Sequence, residues 1–307
     1  MTDWIAEIEA AAARIEGYAR KTAIARLDLA GLDRPIEVKL EFTQHTGSFK
    51  ARGAFNTLLS GGVPKGGVVA ASGGNHGAAV AYAAARLGIP ARIFVPEMAG
   101  PSKIALIEQT GADLTVVPGA YADALAAALD YEAATGAMQI HAYDAPETVV
   151  GQGTCLREWE EQGLEADTVL IAVGGGGLIG GALAWAGERR KIVAVEPETS
   201  CALNAALAAG NPVDVDVSGI AANSLGARKI GQICFDLAYE AKTPSVLVTN
   251  EVIAEAQMTL WREARMLVEP GGACALAALL SGAYQPELGE KVAVLLCGAN
   301  IAPDPLS

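Results

Sequence analysis

Short runs of Val, Ile, Leu and Ala recur along this chain between longer alanine-rich stretches, at 68–71, 91–95, 114–117, 169–173, 192–195 and 292–296. Such brief runs, with little polar alternation, are the pattern of strands buried on both faces of a parallel sheet. The stretches between them have helical lengths. Those at 77–87 and 102–109 stop near Gly88 and Gly111, and glycine readily takes the left-handed conformation that closes a helix. Strand and helix therefore alternate, which predicts an α/β fold. Its open, twisted, mostly parallel sheet is flanked by helices on right-handed crossovers, with ligands beyond the carboxyl ends of the strands. No internal repeat, low-complexity linker or charge block marks a boundary, so pattern alone leaves open one unit or two lobes.

Composition narrows function more than fold. At 307 residues and 51% hydrophobic content the chain can fill a large core. Lys and Arg total 22 against 35 Asp and Glu, a net charge of −13, which opposes non-specific binding to nucleic acid or to an anionic membrane. An anionic ligand must then be held by local geometry. The five cysteines, Cys155, Cys201, Cys234, Cys274 and Cys297, are odd in number, widely spaced and without a CxxC pair. That argues against a disulfide framework or a zinc site and for a reducing cytoplasm. The start, Met1-Thr2-Asp3-Trp4, has no basic n-region, and no apolar run approaches membrane-spanning length. A soluble, unprocessed protein is expected, with neither nucleic acid nor membrane as partner.

Three strand ends and one lysine carry candidate chemistry. Lys50 lies in His45-Thr46-Gly47-Ser48-Phe49-Lys50-Ala51-Arg52-Gly53-Ala54, small and glycine-flanked, a setting that suits an imine-forming amine held partly out of water. Taken alone it also reads as a surface lysine opening an alanine-rich helix. Gly174, Gly175, Gly176 and Gly177, followed by Leu178, come directly after the 169–173 run and before a helical pattern at 182–187. Converging backbone N–H groups and a helix N-terminus make an anion site there without a cationic side chain. A tight turn, or a dinucleotide site with Glu196 as its ribose partner, are the competing readings. Ser72-Gly73-Gly74-Asn75-His76-Gly77 repeats the arrangement after 68–71, with Asn75 as donor or merely helix cap and His76 as ligand or core histidine. At a third strand end, Cys297-Gly298-Ala299-Asn300 offers a thiol and an amide, although a buried cysteine is more often packing.

Gly-Ser-Phe-Lys-Ala-Arg-Gly-Ala at 47–54, Ser-Gly-Gly-Asn-His-Gly at 72–77, Gly-Gln-Gly-Thr at 151–154, Gly-Gly-Gly-Gly-Leu at 174–178 and Cys-Gly-Ala-Asn at 297–300 together resemble the fold-type II pyridoxal-phosphate enzymes, and among them the serine/threonine dehydratase branch. The resemblance extends in order over nearly the whole chain. It implies a two-lobed fold similar to tryptophan synthase β, with residues 1–66 and 144–307 in a large cofactor-binding domain and 67–143 in a small mobile one. It also implies pyridoxal 5'-phosphate as cofactor, a small amino acid as substrate and a homodimer. Lys50 would link to the cofactor carbonyl and, once freed by the substrate amine, remove the α-proton. Phe49 would lie against the pyridine ring, Asn75 would hydrogen-bond the ring hydroxyl, Gly174 to Leu178 would hold the phosphate, and Cys297 would face the ring nitrogen. Ser72, Gly73, Gly74, Asn75 and His76 would grip the substrate carboxylate. Tyr143, just before a turn at Gly151, and residues 221–224 are expected to border the side-chain pocket.

A thiol opposite the ring nitrogen is a weak partner, so prompt loss of a β-substituent is favoured. The activity implied is dehydration and deamination of a 3-hydroxy amino acid such as L-threonine or L-serine to a 2-oxo acid and ammonia. 3-Hydroxyaspartate or phenylserine as substrate, β-replacement of the cysteine synthase type, and a non-enzymatic anion-binding role stay open as alternatives. Departures from the family pattern sharpen this. Racemases of the branch carry a serine where Gly73 stands, so elimination without efficient racemisation is expected. Relatives that bind a divalent cation use a Glu, here Glu196, and an Asp six residues on, where this chain has Ala202; the oxygen set is incomplete and no metal is expected.

Overall fold

The computed structural model describes residues 2–99, 101–119 and 121–301. Among the described residues ten strands form: β1 (Ile24–Leu27), β2 (Ile36–Lys39), β3 (Val68–Ala71), β4 (Ala91–Pro96), β5 (Asp113–Val117), β6 (Met138–Gln139), β7 (Thr168–Ala172), β8 (Lys191–Pro197), β9 (Ser245–Val248) and β10 (Val292–Leu295). They build a six-stranded sheet ordered β1-β2-β10-β7-β8-β9 and a four-stranded sheet ordered β5-β4-β3-β6. Every pairing is parallel except β1 with β2. The six apolar runs read from the sequence are β3, β4, β5, β7, β8 and β10. Of these, β3, β7 and β10 are buried at every position, as strands covered on both faces must be.

Strand order decides where the chemistry collects. The last strand, β10, inserts between β2 and β7, so β2, β10 and β7 are parallel neighbours. Their carboxyl ends open side by side, onto the Lys50 segment, residues 297–300 and the glycine loop. That is the crevice in which open α/β sheets hold ligands. The four-stranded sheet adds the carboxyl end of β3, which leads through Ser72 to Gly74 into the helix Asn75–Leu87.

Helix packing brings these ends close. The Gly-Gln-Gly-Thr segment is not a turn, as expected at Gly151, but the middle of the helix Pro146–Glu161. Its glycines remove bulk where three helices meet. A Cβ at Gly151 would stand 2.7 Å from Gly53 Cα, and one at Gly153 would stand 2.9 Å from the Gly181 carbonyl, so the helices Lys50–Leu59 and Gly177–Ala186 both lie tight against it. Alongside runs a buried ionic cluster. Arg52 Nε meets Glu41 Oε1 at 2.6 Å, Arg52 Nη1 meets Glu158 Oε2 at 2.9 Å, and Lys39 Nζ meets Glu158 Oε1 at 2.6 Å. Burial works against the Glu158 charge, but the Arg52 and Lys39 charges prevail and hold its carboxyl below the usual range. Arg52 thereby ties the helix that begins at Lys50 to the turn at Glu41, just after β2, and to the helix Pro146–Glu161.

Candidate active site

The segment that delivers Lys50 is zipped to the end of β10. Phe42 N donates to Leu296 O at 2.9 Å, Phe49 N to Cys297 O at 3.2 Å, and Ala299 N to Gly47 O at 2.9 Å. Ser48 and Gly298 form a bridge. Thr46 turns the chain with φ 60°, and Lys50 becomes the first residue of the helix Lys50–Leu59. Lys50 is half-buried, its accessible part facing a cavity, and its Nζ donates to Ala142 O at 2.7 Å. Burial lowers its pKa to about 8, against the opposing influence of Cys297 and Glu269. An amine in that state is neutral often enough near physiological pH to attack a carbonyl.

The cavity is lined by Phe49, Lys50, Asn75, Gly174 to Leu178 and Cys297, so one space unites all the residues assigned by sequence to the cofactor. Phe49 lies beside the amine, with Nζ 5.1 Å from its ring centroid. Cys297 Sγ reaches Gly271 O at 3.5 Å, and burial pushes the thiol up, so it stays protonated. At the glycine loop, the backbone N–H groups of Gly174 to Leu178 find no protein acceptor among the described residues. They converge at the N-terminus of the helix Gly177–Ala186, where the dipole also favours an anion. Gly176 has φ 95°, and a Cβ there would stand 2.6 Å from Cys234 Sγ. Tyr143 lies over the loop, its ring against the place a Gly175 side chain would fill. A donor-lined cradle with no room for side chains, beside a neutralisable lysine, fits a phosphorylated carbonyl cofactor.

The substrate-side residues stand around this cavity rather than all in its lining. Asn75 lines it, whereas Ser72, Gly73, Gly74, His76 and Tyr143 do not. Ser72 Oγ accepts from Gly74 N at 3.2 Å. His76 Nε2 pairs with Ile140 O at 2.8 Å, and burial, aided by the Lys50 charge, lowers its pKa to about 3. It is therefore a neutral ring, so it brings no positive charge to a carboxylate. At Gly73 a Cβ would collide with Ala99 Cβ and stand 2.7 Å from Val95 Cγ1. Absence of a base at this position is thus built into the packing.

Glu196 is neither a ribose partner nor, in this arrangement, an open metal ligand. Its Oε1 and Oε2 accept from Leu203 N and Asn204 N, each at 2.8 Å, so it binds the start of the helix Ala202–Ala209. Among the described residues, no group of three or more His, Cys, Asp or Glu is placed to hold a metal. Ser224, in the 221–224 segment expected to border the pocket, does line the cavity and accepts from Gly271 N at 3.1 Å. The charged lining residue missed by sequence reasoning is Glu269, which accepts from Asn75 Nδ2 at 2.6 Å. Glu269-Pro270 has a helix-start pattern, and nothing in it signals a carboxylate turned across the sheet ends.

A family model described as pyridoxal-phosphate dependent enzyme matches residues 15–298. The chain is 36% identical over 271 residues to an L-threonine ammonia-lyase of Thermotoga maritima, covering 87% of this chain and 67% of that protein. It is 34% identical over 270 residues to a phenylserine dehydratase of Ralstonia pickettii, covering 86% and 82%. Maize serine racemase superposes with a TM-score of 0.92 at 30% identity, covering 98% of this chain and 95% of that one. The chain spans about half the length, 54%, of the biosynthetic L-threonine dehydratases it also matches.

Proposed function

The chain belongs to the pyridoxal-phosphate dependent enzymes, and from that premise we propose that it converts L-threonine or L-serine to the 2-oxo acid and ammonia. The observation that carries this is the Lys50 amine, enclosed and lowered to about 8, in one cavity with the unpaired N–H groups of the glycine loop. When bound, pyridoxal 5'-phosphate supplies an aldehyde that condenses with amines and a ring that withdraws electrons from the α-carbon. Gly174 to Leu178 would hold its phosphate, Asn75 its ring oxygen, and Phe49 its ring face. Lys50 would hold its carbonyl carbon and, once displaced by the substrate amine, would be the neutral base placed to take the α-proton. The Cys297 thiol, kept protonated by burial, would set no charge against the ring nitrogen and so would give little support to negative charge stored there. In net, the α-proton and the β-hydroxyl are lost together as one water, and hydrolysis of the resulting enamine takes up one water to give the 2-oxo acid and ammonia.

Ser72 to His76 receive the substrate carboxylate through backbone N–H groups and the Ser72 hydroxyl, His76 being neutral. The unit built on the four-stranded sheet, residues 67–143, closes over the substrate. Five free cysteines, four of them buried, suit a cytoplasmic location, and among the described residues no helix is long and apolar enough to cross a membrane. A homodimer is the proposed assembly. A second substrate, phenylserine, is favoured by the likeness to the Ralstonia pickettii enzyme.

Purified protein is expected to form 2-oxobutanoate from L-threonine and pyruvate from L-serine, with both activities lost in Lys50→Ala. Formation of cysteine from O-acetylserine and sulfide, without 2-oxo acid from either hydroxy amino acid, overturns the proposal in favour of β-replacement. Turnover of phenylserine at a higher kcat/KM than threonine selects the second substrate.

A further inference from the structure

Glu269 is a buried carboxylate that no role above uses. It stands at the N-cap of the helix Pro270–Leu280, yet its side chain makes no cap bond there. The carboxylate turns instead into the cavity, where Asn75 Nδ2 donates to Oε1 at 2.6 Å. Gly298 keeps the space for it, since a Cβ there would collide with Oε1. Among the described residues that line the cavity, Lys50 and Glu269 are the charged pair.

Asn75 is gripped at its other end too. Its Oδ1 accepts from Asn300 Nδ2 at 2.7 Å, and Asn300 Nδ2 also donates to Thr46 O at 2.7 Å. The Asn75 amide can satisfy both neighbours in one orientation only, because the flipped amide sets oxygen against carboxylate and donor against donor. The second hydrogen on Nδ2 is then what Asn75 has left to offer a ligand.

We propose that Glu269 is a positioning residue for the reaction: with Asn300 it locks the Asn75 amide so that Nδ2–H is offered to the ring oxygen of the bound cofactor, and it serves as counter-charge to the Lys50 amine. The inference rests on the assignment of Asn75 to that oxygen. A fixed donor favours the ionised ring oxygen and hence the visible-absorbing form of the bound cofactor over its near-ultraviolet form. The groups that act electrostatically on Lys50 or respond to it are Glu269, Cys297, His76 and His141. Glu269 is the carboxylate among them.

The test compares the holoenzyme spectra and pH profiles of Glu269→Gln and Glu269→Asp. Gln keeps the volume but both donates and accepts, so the amide lock is lost together with the charge. The expected result for Glu269→Gln is a visible band reduced about threefold relative to the near-ultraviolet band, with kcat down about tenfold, KM within about twofold, and the acid limb of kcat moved to lower pH. Glu269→Asp, which withdraws the oxygen but keeps the charge, shows the spectral change with the acid limb unmoved. In an Asn75→Ala background, Glu269→Gln adds no further spectral change. An unaltered band in Glu269→Gln, or an equal further change in the Asn75→Ala background, overturns the inference. Each variant stands in for the other if one does not fold. Wild-type protein that takes up no cofactor overturns the proposed function itself, and is seen before any variant is made.

Discussion

Without its cofactor, the protein is less stable for having Lys50, and that deficit vanishes at high pH. Burial lowers the Lys50 amine from 10.5 to about 8. Between those values the folded chain has released a proton that the unfolded chain still binds, so stability rises with pH across that window. The contribution is complete above the unfolded value and lost as pH falls through the folded one. A shift of this size corresponds to roughly 3 kcal/mol, and solvent access along the half-buried side chain trims it to roughly 2 kcal/mol. Lys50→Met keeps the bulk and removes the titration. It also removes the bond to Ala142 O, at a cost of about 1 kcal/mol that is nearly independent of pH below the amine's unfolded value. The variant apoprotein is therefore expected to be more stable than wild type by roughly 1 kcal/mol at pH 7 and less stable by roughly 1 kcal/mol near pH 10.5. Urea midpoints at matched slope read the difference, and subtracting the two proteins cancels the other titrating groups. Stability curves that stay parallel from pH 7 to pH 10.5 refute the reasoning, because they mean the amine is as well solvated folded as unfolded.

Arg52→Met leaves Glu41 buried without its guanidinium and is expected to cost about 3–5 kcal/mol, read as a lowered thermal midpoint; a loss below about 1 kcal/mol means that water reaches the cluster. Gly73→Ser is expected to yield no D-serine from L-serine above background and to lose about 1–3 kcal/mol to overpacking against Val95 and Ala99. Chiral chromatography together with a melting curve checks this, and stereoinversion at unchanged stability contradicts it. Chelation with EDTA is expected to leave the rate within about twofold, because the Glu196 oxygens are engaged by Leu203 N and Asn204 N. A large drop restored by magnesium shows instead that this cap opens to a cation.

What sequence revealed follows from how much of each feature is local. The buried strands were readable because full burial imposes unbroken apolar runs, as at β7 and β10. β1, β2, β6 and β9 were not. Ile36-Glu37-Val38-Lys39 carries two charges, and the buried Lys39 amine is satisfied by Thr22 O and, far along the chain, by Glu158 and Gln162. β9 is a half-exposed edge strand, and β6 has two residues. The reach of the helix Asn75–Leu87 back to Asn75 and that of Gly177–Ala186 back to Gly177 were underestimated, since glycines hide a helix start. The residues that line the Lys50 cavity were legible as motifs because most of them sit beside a strand end. Glu269 was not, because its meaning lies in a partner 194 positions away.

That contrast explains why the site is where it is. Each strand end supplies one fragment of chemistry: an amine from the segment after β2, a thiol after β10, an anion cradle after β7, an amide after β3. None of them can hold a cofactor alone. Insertion of β10 between β2 and β7 makes three of the four fragments neighbours, and the bonds from Phe42, Phe49 and Ala299 fix the Lys50 segment to β10 rather than to its own strand. Long-range closure of this kind is entropically costly, and the buried Arg52 cluster together with the glycine-packed helices around Gly151 supplies the rigidity that keeps it closed. The stability given up at Lys50 is thus borne by residues that never touch the chemistry.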